Sequence, residues 1–130
     1  ARKLRRDDLV LATKLVLSPS ALAARGEIEG CLDASLRRLQ TDHADVVVLD
    51  LPENTAAVSE CVEVMDRLVR KGKVRHVAAG GVAAWHFSAL ATRAAGIAEW
   101  KVLSADYSLL DLSAERLLAG LMPPLPGFVA

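Results

Sequence analysis

Cysteine and net charge are both scarce in this 130-residue sequence, and each scarcity narrows its chemistry. The two cysteines, Cys31 and Cys61, form no CxxC pair and stand at no Cys/His spacing, so nothing suggests a metal site. Both fall within predicted helices among apolar neighbours and read as small core residues, which fits a reducing compartment. Sixteen basic and sixteen acidic side chains cancel, leaving no general field to draw in nucleic acid or anionic lipid. The one basic cluster, Arg2, Lys3, Arg5 and Arg6, is followed at once by Asp7 and Asp8. It reads as a solvated N-terminal arm over residues 1–7 rather than a binding patch. No stretch reaches the roughly 20 apolar residues that cross a bilayer. "RKLRR", an apolar stretch and "ALAA" outline a signal peptide, but Asp7, Asp8 and Lys14 interrupt it, and the expected location is cytoplasmic. Also missing are a legible Ser/His/Asp nucleophile arrangement, a dinucleotide fingerprint and a P-loop. His43, His76 and His86 have no neighbouring ligand at metal spacing and read as structural or exposed.

The sequence is 52% hydrophobic and 25% charged, enough for one modest core in a single domain over 1–130. Short β-rich runs alternate with helical patterns. "LVLATK" (9–14) reads as a first strand, and Ser18, Pro19 and Ser20 as a loop. A helix starting near Leu22 or Glu27 and ending at Gln40 carries Ile28, Leu32, Leu36 and Leu39 on one face, with Cys31 beside them. "DVVVLD" (45–50) is a second strand, broken by Pro52 and Asn54. The next helix, about Thr55 to Arg70, buries Val58, Val62, Met65 and Val69, with Cys61 and Leu68 alongside, and Gly72 stops it. "VRHVAA" (74–79) is a third strand. Gly80 and Gly81 turn the chain into a helix over about 83–95, capped by Gly96. "WKVLSA" (100–105) is a fourth strand, and a short helix starts near Ser113. Trp85 and Trp100 read as core residues. Pro123, Pro124 and Pro126 predict an irregular, proline-rich tail over 121–130.

Strand–helix–strand repetition at about 30 residues per unit implies parallel βαβ units and an α/β fold of about four strands. Such units make either a small open sheet or a portion, half to two-thirds, of a TIM (β/α)8 barrel. Both place ligands at the carboxyl ends of the strands. Those ends are Lys14, Asp50, Gly80 with Gly81, and Ser104 with Asp106. If the first two strands are neighbours, Lys14 and Asp50 share one rim. They form either a polar site that tunes a proton donor or holds a substrate oxygen, or a structural ion pair. Gly80 and Gly81 supply either tight turn geometry or backbone N–H groups for an anion.

Four segments, "RRDDLVLATK", "CLDASLRRLQTDHADVVVLDLPE", "VMDRLVRKGKVRHVAAGGVAAW" and "ADYSLLD", resemble successive segments of the aldo-keto reductases in order and spacing. The likeness spans roughly Arg5 to Leu118. It implies a (β/α)8 barrel, NADPH as cofactor and a small carbonyl substrate. The family's active site is a tetrad of Asp, Tyr, Lys and His. The resemblance puts its lysine at Lys14 and sets Asp50 where it has histidine. Its Asp and Tyr precede the matched segment, and Tyr107, the single tyrosine, matches another family position. At the nicotinamide, Gly80 and Gly81 replace a common Ser-Asn pair, and Ser104 replaces a glutamine.

A neutral imidazole donates a hydrogen bond to a carbonyl oxygen; an ionised aspartate cannot, and it repels the developing alkoxide. The expectation is an aldo-keto-reductase-like domain, a pseudoenzyme inactive as a free-standing NADPH reductase. A second reading is a non-catalytic assembly module, because an open sheet exposes edges that pair with another copy or a partner half-barrel. A third has a partner chain supply the missing acid while Lys14 and Asp50 carry altered chemistry.

Overall fold

The computed structural model describes residues 5–16, 25–50, 58–93, 100–108, 110–121 and 127–129. Along them run β1 (Ala12–Val16), α1 (Arg25–Leu39), β2 (Ala44–Asp50), α2 (Val58–Arg70), β3 (Val74–Gly80), α3 (Ala84–Arg93), β4 (Trp100–Ser104), α4 (Ser113–Ala119) and β5 (Gly127–Val129). The strands form one sheet in the order β1-β2-β3-β4-β5, and every neighbouring pair is parallel. Strictly sequential order points to an arc of barrel. A doubly wound sheet reverses direction at a switch point, whereas a barrel lays each strand beside the last.

Five strands are described, not the expected four. The tail contributes β5, which pairs with β4 through Val102–Gly127, Leu103–Phe128 and Ser104–Val129. Proline has no N–H to give a ladder, but the prolines lie before Gly127, whose strand keeps its own amides. The loop at 18–20, the breaks at Pro52 and Asn54, the cap at Gly96 and the residues Arg2 and Lys3 fall outside the described residues. So do the side chains of Val58, Trp85 and His86.

Register sorts the sheet into two faces. Leu15, Leu49, Ala79 and Leu103 lie abreast on successive strands and are at most 4% exposed. They pack into a core with Ile28 and Leu32 of α1, Met65 and Leu68 of α2, and Leu90 of α3. Trp100 joins that core as expected. Because successive strand side chains point to opposite faces, the next row, Val16, Asp50, Gly80 and Ser104, belongs to the other face at the strand outlets.

Two expected core members of α1 lie outside it. Leu39 is 43% exposed because it is the last residue of the helix, and Cys31 is exposed on the flank of the Ile28–Leu32–Leu36 stripe. Cys61 is fully buried, and burial pushes its thiol up to about 11, so it is an inert core residue. Val64, absent from the expected stripe of α2, is also buried.

α1 and α2 end alike. After α2, Gly72 takes a left-handed φ of 73°, its N–H bonds the Val69 carbonyl and the Lys73 N–H bonds the Leu68 carbonyl. After α1, Gln40 takes φ 53°, its N–H bonds the Arg37 carbonyl and the Thr41 N–H bonds the Leu36 carbonyl. This double hydrogen-bonded stop favours glycine, which has no Cβ to crowd the following carbonyl, and Gln40 bears that strain. The turn after α2 is also joined to α1 by charge: Lys73 bonds Asp33 (2.7 Å) and Glu29 (3.3 Å), and Lys71 bonds Glu29 (2.6 Å).

At the inlet end, Asp45 is a carboxylate only 4% exposed. It accepts the Leu11 N–H (2.8 Å) and pairs with Arg6 (2.8 Å) and Arg75 (3.0 Å). Arg6 also donates to Thr41 Oγ1, to the Leu9 carbonyl and to the His43 carbonyl. The expected solvated arm is therefore corrected at Arg6, which the acid anchors against the sheet. His43, half-buried and 2.7 Å from Asp42, and exposed His76 have the structural or exposed places expected of them.

Gln40→Gly is expected to raise stability by about 1 kcal/mol, read by urea unfolding, because it relieves the left-handed strain. Asp45→Ala is expected to cost about 2–3 kcal/mol, since it strips the partner from two guanidinium groups and an amide; half-exposed Arg75 keeps the figure low. The Leu11 amide first, then Arg6, holds the Asp45 carboxyl below the ordinary aspartate value. Its stabilisation is thus complete above that value and is lost as pH falls through the lowered one. Acid titration of Asp45→Ala should show a shallower loss of stability over that window.

Candidate functional site

The outlet row places three of the expected residues side by side. Asp50 pairs with Gly80 across β2 and β3, and Gly80 with Ser104 across β3 and β4. Lys14 is not at the end of its strand, where it was expected, but two residues back. β1 runs on to Val16, which pairs with Asp50, while Lys14 sits opposite Val48. Its four-carbon stem spans the offset, and Nζ lies 3.2 Å from Asp50 Oδ2. Both side chains keep contact with solvent, Lys14 at 51% and Asp50 at 31% exposure, so the pair is a weakly stabilising one.

The two glycines have different tasks, and only Gly81 has the turn expected of both. Gly80 is the last residue of β3 rather than part of the turn. A Cβ there would stand 3.3 Å from Val48 Cγ1 and 3.5 Å from Asp50 Oδ1, so the missing side chain leaves room for the carboxylate. Gly81 makes the turn, at φ 67°, where L side chains are strained.

A cavity of about 480 Å³ opens on this row, a volume within the ordinary range for ligand sites. Lys14, Asp50, Gly81, Ser104 and Asp106 line it; Gly80 lies behind Asp50 and does not. The structure thus gathers Lys14, Asp50, Gly81 and Ser104 around one space. Asp111 and Ser113 line it too and were not expected there. They arrive on the loop that returns from β4 to α4. Ser108 and Asp111 close that loop through paired backbone bonds of 3.0 and 3.2 Å. The Ser113 N–H then donates to Asp111 Oδ1 (2.9 Å), and this bond, with the Ser113 hydroxyl, holds the Asp111 carboxyl below its ordinary value. Tyr107 is outside the lining. Its hydroxyl donates to Glu115 Oε1 (3.2 Å), and that carboxylate raises its pKa, keeping it a neutral phenol.

The lining therefore holds one ammonium and three carboxylates, Asp50, Asp106 and Asp111, besides two serine hydroxyls. It can accept hydrogen bonds, donate weakly and attract positive charge. No group of three or more His, Cys, Asp or Glu among the described residues is arranged to hold a metal ion. No described helix is long and apolar enough to cross a membrane.

Sequential parallel strands with a polar cavity at their outlets define part of a (β/α)8-barrel protein. Comparison with known proteins gives the family. The model of the aldo/keto reductase family matches residues 1–122, and the chain belongs to that family. It is similar to the aldo-keto reductase YhdN of Bacillus subtilis, 30% identical over 117 residues, covering 86% of this chain and 34% of that protein. It is also similar to the 6-dehydroglucose reductase of Agrobacterium fabrum, 35% identical over 65 residues, covering 50% of this chain and 22% of the relative. Among solved structures, a thermostable aldo-keto reductase, Tm1743, bound to the inhibitor epalrestat, superposes with a TM-score of 0.77 at 23% identity. That match covers 88% of this chain and 40% of the other, and it supports the fold of a partial barrel. The chain spans about a third or less of YhdN and of the 6-dehydroglucose reductase.

Proposed function

We propose that this chain forms the middle of an aldo-keto-reductase barrel in which carbonyl reduction is disabled at Asp50. The observation that carries the reading is the 3.2 Å contact between Lys14 Nζ and Asp50 Oδ2 at the rim. Where the family resemblance implies a hydrogen-bond donor to a carbonyl oxygen, this chain has an acceptor-only carboxylate. That carboxylate also neutralises the nearest ammonium. Reduction of a carbonyl builds negative charge on its oxygen, and donors or cations aimed at that oxygen lower the barrier. Here an oxygen brought to Asp50 would meet repulsion instead, and Lys14 would first have to leave its partner.

A nicotinamide cofactor, when bound, supplies the hydride in this family. The lining residues were weighed against its two ends. Ser104 offers a hydroxyl that can donate to and accept from the ring's carboxamide. For the phosphates the lining offers three carboxylates and one lysine already paired, and these residues do not fit that end. NADPH binding by this chain is thus expected to be weak, and reduction of a small aldehyde weaker still.

A second reading, assembly with another copy or a partner half-barrel, is favoured by the β1 edge. Among the described residues β1 lies at one end of the sheet order, and Val16 and nearby Val10 are 74% and 81% exposed. A bare parallel edge with apolar flanks pairs readily with another strand.

Purified chain mixed with NADPH and a panel of small aldehydes should consume NADPH no faster than the protein-free blank. Turnover of about 1 s⁻¹ or more, the lower end of ordinary enzyme rates, would overturn the first reading. For the second, sedimentation velocity should show dimers or larger species, and a stable, well-folded monomer at all concentrations would count against it.

A further inference from the structure

The outer edge of β1 carries a pattern that matches itself. Where β1 meets β2, the Leu11 carbonyl accepts the Val46 N–H (3.1 Å), and Ala12 lies opposite Val46. A paired strand turns the backbone groups of alternate residues to its neighbour, so Leu11, Thr13 and Leu15 bond β2. The N–H and C=O groups of Val10, Ala12, Lys14 and Val16 point the other way. No described strand lies on that side. The side chains of these four residues share the open face of the sheet, and all four residues are exposed.

A bare edge recruits another strand. A two-fold axis perpendicular to the sheet lays β1 antiparallel to its own copy, with both sets of helices on one side. Outward-pointing residues must then face outward-pointing residues, which leaves few registers. With Lys14 opposite itself, two ammonium groups are set against each other. With Ala12 opposite itself, Val16 faces Asp8 and Val10 faces Lys14. With the axis at Thr13, Val10 faces the second copy's Val16, and Ala12 faces its Lys14. The two exposed valines then cover each other, and no like charges meet. β5, at the other end of the described sheet, has three residues against the five of β1 and offers a shorter ladder.

We propose that two copies of this chain associate through β1 in this register, forming one continuous sheet with Thr13 on the two-fold axis. The proposal rests on the assembly reading above and adds the occupant of the edge and its alignment. The two Thr13 residues form a non-hydrogen-bonded pair, whose Cα atoms stand about 4.5 Å apart, within the span of a disulfide.

The test is a cysteine scan of the whole chain in a Cys31→Ser background, since Cys61 is buried and inert. Under mild oxidation at about 0.1 mM chain, Thr13→Cys should give at least about tenfold more covalent dimer than Ala12→Cys or Lys14→Cys. Sedimentation of the unaltered chain should show a dimer, and Val10→Lys/Val16→Lys should weaken it at least about tenfold. Both valines are exposed, so the circular dichroism of that variant should match the parent's. Cross-linking at 12 or 14 in preference to 13, cross-linking at none of the three, or a dimer indifferent to the two lysines would each overturn the proposed register. Assembly itself would survive those results. A chain that stays monomeric at the same concentration would overturn both.

Discussion

The register of the parallel ladder is the constraint on which the rest of this protein depends. Once Leu15, Leu49, Ala79 and Leu103 are abreast and buried, Val16, Asp50, Gly80 and Ser104 must be abreast on the other face. A slip of one residue in β2 or β4 would send a leucine to the rim and a carboxylate or serine into the core. Burial of an unpaired carboxylate costs several kcal/mol, which is more than a small domain can lose without consequence. The same hydrophobic pattern that folds the sheet therefore sets which polar groups meet at its outlet.

What meets there is rich in acid. Within one cavity a single ammonium faces three carboxylates, and the ammonium is already in contact with one of them. Gly80 contributes by omission, since its bare α-carbon leaves Asp50 the space beside Val48. Asp111 contributes from a different direction, fixed by the loop that leads into α4. The site is thus composed of residues from three strands, the turn after β3 and a returning loop, with its charge set by the loop as much as by the strands.

The fold was legible in the sequence to the extent that periodicity controls it. The Val46–Leu49 run, the Ile28–Leu32–Leu36 stripe and the Gly72 stop each correspond to an observed element. Ends were less legible: β1 passes Lys14 by two residues and β3 includes Gly80, because ladder pairing with a neighbour decides where a strand stops. The proline-rich tail hid β5, whose three residues are too few to show alternation. At the site, Lys14, Asp50, Gly81, Ser104 and Asp106 could be grouped from strand order alone. Asp111 and Ser113 could not, as only the path of the β4–α4 loop carries them over the cavity. Asp45, a lone acid opening an apolar run, passed as an ordinary strand start. Its partners Arg6 and Arg75 are 39 and 30 residues away, and nothing local links them.

Asp45 gives the two poles of the sheet separate mechanical roles. Its carboxylate ties the backbone ahead of β1, the turn bearing Arg6 and the start of β3 into one charged knot at the inlet. Among the described residues, the strand ends at the outlet are joined by the solvent-touched Lys14–Asp50 contact. Stiffness is thus concentrated at the pole remote from the cavity, and the opposite pole is free to exchange side chains with little effect on folding. An architecture anchored in this way lets selection rewrite the mouth of the barrel, even to the point of replacing its chemistry, while the scaffold beneath persists.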